Sequence, residues 1–206
     1  LKYFETSLNL SLKQKNNKLI AESLSGIGKI YYLNGKYDKA IQYYKKSFQL
    51  WKKIDDYVGI ADTLNLLGAI YDYNGKYSKA LKNYKESYKA YSQVGNKMGM
   101  CKAAFNIANA YCTTGDMNNA LKNQEVSFTF SKETNNSVML GYNYNLRGII
   151  YSNLSQPKEA YELYKKSLKI RKALDDQEGV ATLYRNIGVV YLQMGLLKQS
   201  IDYYSY

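Results

Sequence analysis

A pattern of small and aromatic residues recurs every 40 residues along this 206-residue chain. One copy lies in residues 64–81, LNLLGAIYDYNGKYSKAL, and a shift of 40 residues in either direction brings up the same pattern without an insertion. The first small column contains Gly28, Gly68, Ala108, Gly148 and Gly188. A fixed period of this length is typical of a repeat protein, in which each repeat buries its apolar face against its neighbours.

Each copy of the pattern predicts two helices. The first helix carries apolar residues at helical spacing and ends at Asn74-Gly75, because glycine readily adopts the left-handed conformation that ends a helix. The second helix is expected from about Tyr77 to Gln93. Pro157 falls at the first turn of another second helix, where its missing N–H costs little. The small first column is expected to let the two helices approach closely.

The repeat boundaries predict a single array over residues 1–206 with an incomplete repeat at each end. The complete repeats are 18–57, 58–97, 98–137 and 138–177, and the partial repeats are 1–17 and 178–206. A stack of repeats needs polar caps at its ends, and the sequence shows none. We therefore expect either a longer array or larger protein around this segment, or a homo-oligomer formed through the uncapped ends.

The third and fourth copies depart from the pattern. Gln124 and Ser131 replace residues that are mostly aromatic in the other copies, so we predict that the helix near 117–133 is the least stable. Arg147 replaces the Leu or Ile of its column. A charge on a buried face needs a partner, so either a carboxylate such as Glu162 pairs with Arg147 or its stem is buried and its head reaches solvent.

These columns resemble those of the tetratricopeptide repeat family. In one copy the residues that carry the resemblance are Leu67, Gly68, Tyr71, Gly75, Ala80, Tyr84 and Ser87. The resemblance implies an all-α fold, a right-handed α-solenoid of antiparallel helix pairs, with first helices lining a concave groove and second helices forming the convex back. This chain differs from the usual pattern in its longer period and in lacking the closing proline, which Lys52, Ser92, Lys132 and Lys172 replace.

The net charge of +12 is concentrated on the second helices. The predicted first helices sum to +2 and the second helices to +13, so the positive charge belongs to the convex back that the resemblance implies. A solvated lysine face that keeps a tyrosine-rich protein soluble is the favoured interpretation. The alternative is an adaptor that binds nucleic acid or an anionic surface through this face. Nucleic acid is disfavoured, because the sequence has no nucleic-acid-binding signature.

The resemblance also maps a groove, residue by residue, onto the first helices. The residues expected to contact a peptide are Asn65, Tyr73, Lys102, Asn106, Asn109, Tyr142, Asn145, Arg185 and Asn186. An asparagine amide can pair with both backbone groups of an extended peptide, tyrosine offers a packing surface, and the basic residues can meet a carboxylate. A clamp for a chaperone tail is disfavoured, since Asn109 has Phe105 rather than Lys one turn before it.

A binding module is therefore the leading hypothesis, and an enzyme is the weakest. The chain has no histidine, and the sequence shows no metal-ligand cluster, phosphate loop or nucleophile motif, so we expect no catalytic residue, metal or cofactor. The expected partner is a protein or peptide in the groove. We favour the ligand-sensing or regulatory region of a larger signalling protein. The sequence leaves the compartment open: the cytoplasm is favoured, and an extracytoplasmic sensor region is the alternative.

Overall fold

A computed structural model describes residues 2–204 as eleven α-helices, with no strand in that range. Leu1, Ser205 and Tyr206, which end the predicted partial repeats, lie outside the described residues, as does the side chain of Tyr204. The first helices are α2 (Asn17–Leu33), α4 (Tyr57–Tyr73), α6 (Lys97–Thr113), α8 (Ser137–Asn153) and α10 (Gln177–Gln193). The second helices are α1 (Lys2–Lys13), α3 (Tyr37–Lys53), α5 (Tyr77–Gln93), α7 (Met117–Glu133), α9 (Pro157–Ala173) and α11 (Leu197–Tyr204). Two helices per repeat, and the expected span of α5, are confirmed.

A left-handed residue follows each helix that ends within the described chain. Within the repeats this residue is usually glycine, as at Gly75 with φ of 68°, which confirms the predicted helix end. Between repeats it is usually Asp or Asn, as at Asp55 with φ of 53°. The next residue then caps the following helix, because Oδ1 of Asp56 accepts a hydrogen bond of 2.8 Å from the Gly59 N–H. The paired aspartates between repeats therefore serve in turns and helix caps.

The first glycine column packs against tyrosine rings of the following second helix. A Cβ atom on Gly68 would lie 2.5 Å from the Tyr84 ring, and Gly148 stands in the same relation to Tyr164. Both rings are buried. The third copy has alanine in this column, and there Gln124 replaces the tyrosine. The close approach predicted from the small column is therefore an approach between backbone and ring.

The chain divides into two compact units, Leu1–Ala103 (unit 1) and Ala104–Tyr206 (unit 2). One core cluster of unit 1 contains Ala40, Tyr44, Leu67 and Ile70. One core cluster of unit 2 contains Ala160, Tyr164, Leu183, Ile187 and Val190. These clusters are formed by the columns of the repeat. A single array over residues 1–206 stays a prediction.

Two side-chain amides are buried where the third repeat meets the fourth, one on α7 and one on α8. Gln124 and Asn143 are fully buried, and the Gln124 Nε2 donates to the Asn143 backbone carbonyl at 3.2 Å. The side-chain oxygens of both residues have no hydrogen-bond partner. Buried amide oxygens without partners lower the stability of a packed interface, which supports the prediction for α7 without testing it.

Arg147 pairs with a carboxylate, as predicted, but the residue that supplies it is not the predicted Glu162. Its Nη1 lies 2.8 Å from Oε2 of Glu125 on α7, whereas the sequence interpretation had named Glu162. The guanidinium also lies 5.8 Å from the Phe128 ring. Arg147 faces α7 because its column packs on the preceding second helix, and Glu125 is the residue that α7 presents there.

Both ends of the described chain expose large apolar side chains. At the N-terminal end Tyr3 is 92% exposed and Leu10 is 54% exposed, and at the other end Ile201 is 67% exposed. Self-association through these ends stays a prediction. Among the described residues, no helix has the length and apolar character that a membrane crossing requires.

Candidate binding face

The predicted contact residues lie on the first helices, and we call the surface that they form within each unit the first-helix face of that unit. In unit 1 this face carries Asn65 on α4, which is half-buried, and Lys102 on α6, which is exposed. Tyr73 ends α4 and is 70% exposed. Each of these side chains, in its own unit, is therefore at least partly accessible.

Tyr73 belongs to an aromatic cluster that the sequence interpretation did not include as a whole. Its ring centroid lies 5.0 Å from that of Tyr37 on α3, and Tyr37 lies 5.8 Å from Tyr32 on α2. A hydrogen bond with Tyr73 is the main cause that raises the pKa of the Tyr37 hydroxyl. Tyr37 was missed because it begins a second helix, although it stands in the same turn as Gly35.

A second unit 1 pair ties the first-helix face to the core. The buried Tyr91 hydroxyl donates a hydrogen bond to Oδ1 of Asp62, an exposed residue of the first helix α4. Burial, with the hydrogen bond to Asp62 as a smaller cause, raises the pKa of Tyr91. The bond holds the Asp62 carboxylate against α5 and so fixes a negative group at the edge of this face.

In unit 2 two of the predicted asparagines are joined directly. The Asn186 Nδ2 on α10 donates to the Asn145 Oδ1 on α8, at 3.0 Å. Both residues are half-buried. Asn106 and Asn109 on α6 are also half-buried, and Arg185 on α10 is exposed.

The Asn145–Asn186 pair is one of several polar bridges that join neighbouring first helices in unit 2. Ser152 Oγ and Gln193 Oε1 lie 2.9 Å apart, and the Asn153 Nδ2 lies 3.6 Å from the Cys112 sulfur. Burial raises the pKa of the Cys112 thiol, so this cysteine serves as a packing residue with a weak acceptor. Each bridge joins residues 41 positions apart, one position beyond the repeat.

Tyr142 and Asn145 line a small polar cavity of about 180 Å³ together with residues that the sequence interpretation missed. The missed residues are Arg171, Asp176, Glu178 and Gly179, and Thr182 of α10 completes the lining.

Arg171 is the centre of this cavity wall. It is 6% exposed, its guanidinium lies 4.1 Å from the Tyr142 ring centroid, and its Nη1 pairs with Asp176 Oδ2. A hydrogen bond from the Gly179 N–H is the main cause that holds the pKa of the Asp176 carboxyl below its usual range, and Arg171 adds to the effect. The cavity therefore offers a fixed ion pair behind an accessible tyrosine.

The sequence did contain a pattern that could have identified Arg171, because two positions eight residues apart vary together in size. Trp51 is packed on Gly59, Tyr91 on Gly99 and Arg171 on Gly179, so in these three repeats a large flat group stands eight residues before a glycine. In the third copy the sizes are exchanged, since Ser131 is followed by the buried Met139.

The fold and these faces define a tetratricopeptide repeat protein. A family model described as tetratricopeptide repeat matches residues 19–93 and 139–205, and the chain belongs to that family. The predicted family and the all-α fold class are therefore confirmed. A search of curated proteins gave no significant match.

Several solved structures are similar to this chain in fold. BtubC (BKLC) from P. vanneervenii matches with a TM-score of 0.83 at 17% identity, over 98% of this chain and 84% of that chain. A Rap protein complexed with Competence and Sporulation Factor matches with a TM-score of 0.79 at 16% identity, over 100% of this chain and 57% of that chain. The TPR-like repeats of a putative kinesin light chain from Podosopora anserina match with a TM-score of 0.68 at 15% identity, over 89% of this chain and 91% of that chain.

Proposed function

We propose that this chain is a non-catalytic module that binds a protein or peptide along its first-helix face. The observation that carries the proposal is the hydrogen bond between Asn145 and Asn186. Because the Asn145 oxygen accepts this bond, its amide N–H groups are left to face a ligand, and the Asn186 oxygen is left as an acceptor. An extended peptide presents the matching carbonyl and N–H groups along its backbone.

Aromatic and charged side chains beside the amides give this face its further binding chemistry. Tyr142 is 40% exposed in unit 2 and Tyr73 is 70% exposed in unit 1, and both rings are supported by a neighbouring ring. A supported, accessible tyrosine loses little conformational freedom when it packs against a partner. Arg185 and Lys102, both exposed, supply positive charge for carboxylates of a bound segment.

The non-catalytic part of the proposal rests on the chemistry of the side chains that the face presents. Its predicted contact residues are amides, tyrosines and two basic residues, and the chain contains no histidine. Amides and tyrosines at the surface favour adaptable hydrogen bonding and packing, which is the chemistry of recognition.

We further propose that the module is the sensing or regulatory region of a larger signalling protein. The similarity in fold to a Rap protein complexed with Competence and Sporulation Factor supports this role, although the likeness alone is one of fold. The coding sequence on either side of this segment tests it. An adjoining kinase or DNA-binding domain is the expected result, and a complete open reading frame limited to these repeats would contradict it.

Selection from a display library of short random peptides tests the binding function itself. We expect enriched peptides to bind the wild-type chain and to lose at least about tenfold in affinity when Asn145 and Asn186 are both replaced by alanine, because each lost buried hydrogen bond costs about 1 kcal/mol. The matched control replaces two second-helix amides, Gln42→Ala and Asn118→Ala, and should leave the affinity unchanged. Equal losses in both double variants would remove the first-helix face from the proposal.

A further inference from the structure

A groove runs along the second-helix side of unit 1 between α3 and α5. Its volume is about 470 Å³. Leu64 and Leu67 of α4 lie at its floor and are 5% exposed, beside the half-buried Phe48. Exposed lysines on both helices stand at its rims. We call this surface the lysine groove and define it by Lys45, Lys46, Phe48, Leu64, Leu67 and Lys82.

The lysine groove has a strongly positive rim. Among the described residues that line it, Glu86 is the one carboxylate, against the three lysines of the rim. Of these three lysines, Lys46 has its ammonium group 5.7 Å from the Tyr43 ring centroid, and Lys45 and Lys82 are exposed on opposite helices. The rim therefore carries positive charge on both sides of an apolar floor.

The equivalent groove between α7 and α9 in unit 2 has the opposite chemistry. A shift of 80 residues places Glu125 at the position of Lys45, Glu162 at that of Lys82 and Tyr144 at that of Leu64. The Tyr144 ring packs on Phe128 with centroids 5.2 Å apart. The ion pair between Glu125 and Arg147 further occupies this groove.

The two remaining grooves that lie within one unit also lack the combination. Between α9 and α11 the pattern places Asp202 at the position of Lys82, and Tyr184 and Tyr203 pack together with centroids 5.8 Å apart. Between α1 and α3 it places Glu5 at the position of Lys45 and Gln42 at that of Lys82. An apolar floor with lysines on both rims therefore occurs in one of the four equivalent grooves. The repeat pattern alone does not produce this combination.

We propose that the lysine groove binds an acidic protein segment in which carboxylates flank a large apolar side chain. The apolar side chain packs on Phe48, Leu64 and Leu67, and the carboxylates pair with the lysines on both rims. A nucleic acid backbone would meet the same lysines but has no apolar group for the floor. This surface is separate from the first-helix face, so the module has the means to hold two partners at once.

Fluorescence anisotropy with three labelled probes tests the chemistry of the partner. The first probe is the synthetic peptide Asp-Glu-Leu-Phe-Glu-Asp, the second replaces its Leu-Phe by Ser-Ser, and the third is a short single-stranded oligodeoxythymidine. We expect the first peptide to bind at least about tenfold more tightly than the second, because one large apolar side chain is buried. Binding of the first peptide should also weaken as salt is added. No binding of the first peptide, equal binding of the serine peptide, or tighter binding of the oligonucleotide would overturn the proposal.

A charge-reversal pair locates the site. The double variant Lys45→Glu and Lys82→Glu gives the groove the carboxylates of its counterpart in unit 2, and we expect it to lose at least about tenfold in affinity for the first peptide. The control variant Lys158→Glu and Lys169→Glu makes the same change in net charge on α9 and should change the affinity by no more than about twofold. Equal losses in the two variants would show attraction to the net charge alone and would overturn the groove, provided that circular dichroism shows both variants to be helical.

Discussion

Gly68 lies directly beneath the ring of Tyr84, so closely that a Cβ atom would stand 2.5 Å from a ring carbon. The same contact joins Gly28 to Tyr44 and Gly148 to Tyr164. It connects the first and second helices of a repeat, and the tyrosine ring is buried in each of these three pairs.

We predict that Gly68→Ala destabilises the chain by about 1–3 kcal/mol, because the new methyl group displaces a buried ring. The control is Ala108→Gly in the copy that has Gln124. It should lower the free energy of unfolding by about 1 kcal/mol, the cost of glycine in a helix interior, without any effect on a ring. Chemical denaturation measures both free energies of unfolding. If Gly68→Ala is neutral or stabilising, the contact does not constrain the repeat.

The double variant Gly68→Ala and Tyr84→Gln copies the natural pair Ala108 and Gln124 into the second repeat. We expect a coupling free energy of at least about 0.5 kcal/mol between the two substitutions, because the smaller side chain makes room for the methyl group. A double-mutant cycle by chemical denaturation measures it. Additive effects would show that the two columns vary independently.

We predict that α7 (Met117–Glu133) exchanges its amide hydrogens fastest among the complete second helices, because Gln124 and Asn143 bury unpaired oxygens. Hydrogen exchange followed by mass spectrometry measures the protection of each helix. The double variant Ala108→Gly and Gln124→Tyr should raise the protection of α7 towards that of α5. Finding α7 among the best-protected helices of the wild-type chain would contradict the prediction.

Glu125→Gln should destabilise the chain by about 0.2–1 kcal/mol, since it removes the carboxylate that lies 2.8 Å from Arg147 while both side chains keep some exposure. Glu162→Gln, at the position first inferred from the sequence, should have a smaller effect. Thermal or chemical unfolding of the two single variants measures the difference. A larger loss with Glu162→Gln would restore the original assignment.

The lowered pKa of Asp176 predicts a loss of stability in acid. Folding favours the ionised carboxylate of Asp176. Its contribution to the free energy of unfolding is therefore complete above its ordinary pKa of about 4, and this contribution is lost as the pH falls through the lower pKa of the folded state. Asp176→Asn keeps a side chain able to cap α10 but loses the ion pair with Arg171. The difference in unfolding free energy between wild type and variant should therefore shrink as the pH falls below about 4, and a constant difference would contradict this.

The sequence predicted the helices well because each helix end is encoded by local chemistry. Gly75 and Pro157 stand where the repeat requires a helix end and a helix start, and the structure places them there. The predicted partner of Arg147 was wrong because a column of the repeat identifies which helices pack together, but not which side chain of the neighbouring helix lies opposite a given residue. The same limit hid Arg171, which replaces an aromatic residue of its column and whose ion pair arises only from packing.

For the predicted contact residues, the sequence likewise predicted their helices but not their contacts with each other. The repeat places Asn145 and Asn186 on neighbouring first helices, but their hydrogen bond depends on a register of 41 residues that the 40-residue pattern does not specify. The lysine groove could not be predicted from the net charge of the helices either. Its apolar floor depends on Leu64, at a position where another repeat has Tyr144.

The most direct test of the binding function is a nuclear magnetic resonance titration of the chain with a peptide selected from the random library. Binding on the first-helix face should shift the side-chain amide signals of Asn145 and Asn186, and the Asn145→Ala and Asn186→Ala double variant should bind at least about tenfold more weakly. Shifts confined to the second helices, with full affinity in that double variant, would contradict the account.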